Sequence, residues 1–225
     1  MWVSIKLQYN KETDADNRWG AVNKNTNWDW WKKHITNELY TTILWKEKKD
    51  VLDIILKHID QNFWTVDMKK YEQHIIEALE KDKKQYIKKM EELTKHPIPY
   101  TQITCFFTTL PRCPYKWEKW FIWMYYKAKD PVRIFLHETL HFQFHWRYRN
   151  NSKVKALSTK QFEYLKESLT FLLNHEFEDF IEVPDEGYDE HQELIKQLED
   201  YRIKQEDERD FEKLIEYWCD ILLKK

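Results

Sequence analysis

Asp130-Pro131-Val132-Arg133-Ile134-Phe135-Leu136-His137-Glu138-Thr139-Leu140-His141 is the stretch on which the reading of this chain turns. Asp130 can cap a helix and Pro131 suits its first position, so a helix is expected from here onward. In a helix, His137 and His141 fall on one side, one turn apart. Two imidazoles so placed can grip a single metal ion, and zinc is the metal that favours this pairing. Glu138, beside the first histidine, is placed to take a proton from water at the metal. Two ordinary helix-surface histidines would show the same spacing. The helix start and the flanking apolar residues argue for more. Val132, Phe135, Leu136 and Trp146 fall on a packed side, while Ile134 and Phe144 flank the histidines. Gln143 also falls on the packed side and breaks its apolar character.

Outward from this helix, the composition is that of a globular protein. Of the 225 residues, 42% are hydrophobic and 34% charged, enough apolar material for a core. Only two glycines occur, and Lys/Glu-rich stretches are long, which points to a mostly helical chain. The 37 basic and 39 acidic residues nearly cancel, leaving no basic footprint for nucleic acid. The N-terminal residues lack the apolar run of a signal peptide, and no run of about 18 apolar residues suggests a membrane span. Three cysteines, Cys105, Cys113 and Cys219, make no disulfide framework. Free thiols and a cytoplasmic setting are expected, although Cys105 and Cys113 are spaced for pairing in a hairpin.

Val3 to Tyr9 alternates as a strand does. Residues 10–27 are polar and read as a loop. Helices are expected from Trp28 to about Ile59 and from Asp67 to about Leu93, where Pro97 and Pro99 follow. Thr101–Thr108 and Trp120–Tyr126 are rich in β-formers, with a turn over Leu110–Pro114 between them. After the histidine helix come a loop at Asn150–Ser152, a helix from about Lys160 to Phe180, a break over 181–189 and one or two charged helices to the end. Leu194, Leu198, Ile203, Leu214, Ile215, Trp218 and Leu222 are the apolar stripe of that tail. The fold class is α+β, predominantly helical with a small β-sheet. It is read as one domain over 1–225: a strand and helices in 1–99, a core in 100–180 and helices in 185–225.

A catalytic zinc takes three protein ligands and leaves one position open. His145 lies two turns past His137, about 12 Å along the axis, too far to share the ion on one continuous helix. Glu167 and Glu163, in Phe162-Glu163-Tyr164-Leu165-Lys166-Glu167-Ser168-Leu169, are the carboxylates a downstream helix offers as third ligand. Phe162, Leu165, Leu169, Leu172 and Leu173 form this helix's apolar side, and the polar side bearing Glu163, Glu167, Asn174 and Glu178 would also suit a face turned to water.

With these residues in hand, the chain resembles the gluzincins, zinc metallopeptidases in which a downstream helix supplies a ligand Glu, often followed by a small residue as Ser168 follows Glu167. His137, Glu138, His141 and His145 are also similar to the H-E-x-x-H-x-x-x-H of the ImmA/IrrE-type peptidases. Thr139-Leu140 and Ser168 depart from the residues usual in that family. The resemblance covers about residues 100–180. It implies a zincin-like core, zinc held by His137, His141 and Glu167, Glu138 as general base and a peptide or protein substrate. It also implies a substrate-binding edge strand, here Trp120–Tyr126, which reads equally as an aromatic core strand. Tyr148, His175 and Tyr188 are candidate oxyanion donors, and Asn174 a candidate support for the ligands. Two other readings stay open. One is a helical interaction module without catalysis; the other is a metal-dependent hydrolase of a non-peptide substrate. Neither nucleic acid nor membrane is an expected partner, and the sequence does not indicate an oligomeric state.

Overall fold

The computed structural model describes residues 3–24, 34–63, 66–204 and 210–224. It is an α+β protein in which two compact units are interleaved along the chain. Ser4–Ala78 and Gln102–Pro131 form one; Leu79–Thr101 and Val132–Lys225 belong to the other.

The first unit carries a four-stranded mixed sheet in the order β1-β2-β4-β3. β1 (Ser4–Tyr9) and β2 (Gln102–Thr108) pair in parallel, as do β2 and β4 (Phe121–Tyr125). Leu7, Cys105 and Ile122 share one register line. The turn over Leu110–Pro114 brings the short β3 (Tyr115–Lys116) back antiparallel along β4. β4 therefore lies between two strands, and Ile122, Trp123 and Met124 are buried. This corrects the edge-strand reading of Trp120–Tyr126 in favour of the core-strand one. Cys105, Cys113 and Cys219 are all free thiols.

The polar stretch after β1 is a helix rather than a loop: α1 spans Lys11–Asn23. Asn10 caps it by accepting the Thr13 amide at 2.8 Å. Its buried side mixes small apolar residues with polar ones, which hid it. Asp14, Asn17 and Arg18 recur at helical spacing and are buried. Their partners lie at the end of β2. Asp14 accepts from the Thr108 hydroxyl (2.6 Å), the Thr109 amide (3.0 Å) and the Thr109 hydroxyl (2.5 Å). Asn17 donates to Thr108, and Arg18 donates to Thr109 at 2.6 Å while its guanidinium lies over the Phe63 ring.

The region read as one helix to Ile59 is divided. Its proposed start at Trp28 lies outside the described residues. α2 (Asn37–Ile43) and α3 (Lys48–Phe63) are separated by Trp45 at φ 60°. Side chains of α1 hold that turn: Asn23 accepts the Trp45 amide at 2.7 Å, and the Trp19 indole donates to the Lys46 carbonyl at 2.9 Å. Ile35, Leu39, Ile43, Val51, Ile55 and Ile59 pack with Ala15, Ala21 and Leu110 into this unit's core. α4 (Met68–Lys81) and α5 (Lys83–Thr94) divide the second expected helix at Asp82, which leaves helical geometry without making a side-chain capping hydrogen bond.

In the second unit, α6 (Pro131–Tyr148) is the histidine helix, beginning where Asp130-Pro131 placed it. Phe135, Leu136, Leu140, Phe142 and Phe144 are fully buried; such side chains each contribute about 1.5–3 kcal/mol. Tyr86 and Tyr100 meet Phe135 and Phe142. Trp146, expected on the packed side, is 40% exposed. α7 (Ser152–Lys155) is a single helical turn capped by Asn151 within the stretch read as loop. Ser158 and Gln161 form a capping box that starts α8 (Thr159–Ser168). The expected continuation to Phe180 is broken. At Thr170 the amide and hydroxyl both bond back to the Glu167 carbonyl, tightening the turn before α9 (Phe171–Glu176). α10 (Gln192–Lys204) and α11 (Phe211–Leu222) complete the unit, with Leu194, Leu198, Leu214, Ile215, Trp218 and Leu222 buried and Ile203 65% exposed. Among the described residues, no helix is long and apolar enough to cross a membrane.

Asp14→Ala should destabilise the protein by about 1–3 kcal/mol, because it leaves the buried Thr108 and Thr109 donors without their acceptor. The urea unfolding midpoint, followed by tryptophan fluorescence, reads this. An unchanged midpoint would show that the network adds nothing to stability.

Candidate metal centre

α6 presents His137 and His141 on one side, their ring centroids 4.6 Å apart. α8 brings Glu167 to them from the last turn before the Thr170 break. His137 Nε2 lies 3.6 Å and His141 Nε2 3.4 Å from the same oxygen, Glu167 Oε2. These separations are long for hydrogen bonds. They match the spacing between ligands of a tetrahedral zinc, about 3.3–3.4 Å for bonds of about 2.0–2.1 Å. Ligand atoms of His137, Glu138 and His141 also lie within 4.8 Å of one another, so distance alone admits Glu138 as a third ligand. Glu167 Oε2 lies 3.6 and 3.4 Å from the two histidine nitrogens, and two imidazoles with this carboxylate suit a His₂Glu site.

Asp185 was not found by sequence reasoning. It stands in the break between α9 and α10 and accepts from His137 Nδ1 at 2.8 Å. A carboxylate on the far nitrogen fixes the ring's orientation and leaves Nε2 facing the metal position. Arg133, one turn before His137, reaches the same Asp185 oxygen at 3.2 Å. Asn174 holds the Asp185 backbone through two hydrogen bonds, of 2.9 and 2.6 Å, so its supporting role runs through Asp185. The Gly187 amide donates to the other Asp185 oxygen, and Gly187 takes φ +62°, a conformation that suits glycine. A general signal did exist: a ligating histidine needs a partner for its second nitrogen. With 39 acidic residues, the sequence cannot say which one serves.

The charges are strongly coupled. Burial opposes charge on His137, but the Asp185 carboxylate, with Glu167 and Glu138, outweighs it and holds the pKa well above 6.5. Burial takes His141 the other way, down to about 3, despite Glu167. Glu167 sits well below the usual carboxylate range: burial opposes its charge, while His141, His137 and Lys166 favour it. Asp185 falls to about 2 against burial, through His137 and then Arg133. Burial raises Glu138 to about 8, with Glu167 adding to the rise and His137 opposing it. Its Oε2 is buried with no hydrogen-bond partner among the described residues.

The remaining candidates separate clearly. Glu163 pairs with Lys166 at 2.5 Å and its side chain is 51% exposed. His145 rests its ring against Phe162, and burial lowers its pKa to about 4. Tyr148 is buried against Phe144 and Phe211, and His175 lies 3.3 Å from Glu199. Tyr188 is the donor candidate that feels the site: partial burial, then Glu167 and Glu138, raise its phenol to about 12.

Compared with known proteins, the chain matches no family model, no curated protein and no solved structure.

Purified protein should hold about one zinc per chain, lost in His137→Ala and His141→Ala, while Asp185→Ala should weaken affinity about 10–100-fold. Chelator competition measures all three; full occupancy in both histidine variants would put the metal elsewhere. Asp185 favours the charged form of His137 and burial the neutral form of Glu138 in the metal-free protein, so loading at pH 7 should release at least one proton. Titration calorimetry in buffers of different ionisation enthalpy counts it. The sign for metal-free stability follows: the His137 contribution is complete below pH 6.5 and is lost as pH rises through its elevated pKa.

Proposed function

We propose that this chain is a zinc-dependent metallopeptidase. The observation that carries the reading is the convergence of His137 Nε2 and His141 Nε2 on one Glu167 oxygen at 3.6 and 3.4 Å. Glu138 lies buried beside them. The resemblance of these residues to the gluzincin pattern supports a peptide as substrate. A zinc ion held by His137, His141 and Glu167 would lower the pKa of its water toward about 7 and polarise the scissile carbonyl.

The chain's own groups supply the proton traffic. A general base works best with a pKa near the operating pH; burial pushes Glu138 up to about 8 in the metal-free protein, and a bound cation would favour its carboxylate and bring it back down. Its Oε2, without a hydrogen-bond partner among the described residues, is available to accept the proton from the attacking water. The same carboxyl then returns that proton to the leaving amine nitrogen. Tyr188 is 55% exposed, yet Glu167 and Glu138 act on its phenol, and it is the candidate to donate toward the oxyanion. Asp185 and Arg133 keep His137 from turning, and Asn174 keeps Asp185 in place. His141 stays a neutral imidazole, ready to ligate.

Glu138→Gln should keep fold and zinc but lower hydrolysis by about 10²–10⁴-fold, because it removes proton transfer and little volume. A complex peptide library incubated with wild type and variant, and compared by mass spectrometry, reads the difference. Products from wild type that are missing with the variant support the peptidase. An uncleaved library from zinc-loaded wild type would favour a non-peptide substrate, and equal cleavage by both would remove Glu138 from the chemistry. On any cleaved peptide, Tyr188→Phe should reduce kcat more than it changes KM.

A further inference from the structure

Lys166, one residue before the third candidate ligand, has a side chain only 5% exposed. Lysines usually bury the stem and keep the ammonium in water. Here the ammonium lies between two carboxylates, 2.5 Å from Glu163 Oε2 and 3.0 Å from Glu167 Oε1. The two oxygens of Glu167 are thus divided. Oε1 faces the ammonium, while Oε2 faces both histidine nitrogens. The division matters for coordination. His137, His141 and one carboxylate oxygen leave a tetrahedral ion one open position, which water takes; a second oxygen from Glu167 would be a fifth ligand beside that water and end the tetrahedral geometry. Building on the metal reading above, we infer that Lys166 is a positioning residue that holds Glu167 to ligation through one oxygen and keeps the ion four-coordinate with its water.

Glu163 has a structural share in this. It gives the Lys166 ammonium a second carboxylate partner, at 2.5 Å. Charge is part of the arrangement too. Glu138, Glu167 and Asp185 place three carboxyl groups around two histidines, and Lys166 and Arg133 are the cations among them.

Cobalt(II) replacing zinc reports the coordination number directly: its visible bands are intense when four-coordinate and weaken when a fifth ligand joins. The full chain as wild type, Lys166→Met and Lys166→Arg is stripped of metal and reloaded with one equivalent of cobalt. Wild type and Lys166→Arg should show intense bands, since Arg keeps a cation on Oε1. Lys166→Met, at equal cobalt content, should lose most of that intensity as Oε1 turns onto the ion, and kcat should fall with it. If Lys166→Met does not fold, Lys166→Gln, with a polar but uncharged head, is read the same way. A wild-type spectrum in the uncharged variant overturns the inference while leaving the metal site standing. Equal loss in the Arg and Met variants overturns the assignment to the ammonium's charge. A wild type that binds no cobalt removes the metal site, and this inference with it.

Discussion

The hydrogen bond from His137 to Asp185 is the constraint on which the site's arrangement rests. It ties a side chain on α6 to a loop nearly fifty positions further along, and it fixes which nitrogen of the imidazole faces Glu167. The loop is shaped to hold that bond. Asn174 grips the Asp185 backbone from both sides, the Gly187 amide occupies its second oxygen, and Arg133 joins from the histidine helix itself. With Asp185 immobilised this way, His137 cannot rotate toward solvent.

The helices serve the same end. The Ser158 capping box sets where α8 begins, and Thr170 sets where it ends, so Glu167 falls on its final turn. That break is why the helix does not run on to Phe180 as its apolar pattern suggested. A helix end lets Glu167 reach His137 and His141 while Leu169, Phe171, Leu172 and Leu173 carry on into the core. Burial then divides the labour among chemically similar groups. Glu138 is pushed up to about 8, whereas Glu167, with Lys166 and two imidazoles beside it, is held as an anion. Two carboxyls on neighbouring helices thereby differ in how readily they ionise.

The first unit shows the same physics used for structure. Asp14, Asn17 and Arg18 would be costly to bury alone, yet the end of β2 offers them hydroxyls, an amide and a carbonyl. A helix side that mixes polar with small apolar residues and packs on a strand end explains a sequence stretch that reads as a loop.

What the sequence by itself determined was whatever depends on local periodicity and local chemistry. The strands at Ser4–Tyr9, Gln102–Thr108 and Phe121–Tyr125 were legible from alternation and β-formers. The start of α6 was legible from Asp130-Pro131, and the shared side of His137 and His141 from the helical repeat. Glu167 could be ranked above Glu163 only by resemblance, since both lie on the same side of one helix. The tertiary structure decided the rest. It turned Glu163 to Lys166 and Glu167 to the histidines, supplied Asp185 from a loop, and covered β4 with β3. It also broke three expected helices, at Trp45, Asp82 and Thr170, the first and last where side chains captured backbone groups. The physical reason is common to these cases. A helix repeat fixes which residues share a face, but the partner of a buried charge or an open carbonyl comes from distant chain, and the sequence holds too many equivalent donors and acceptors to single one out.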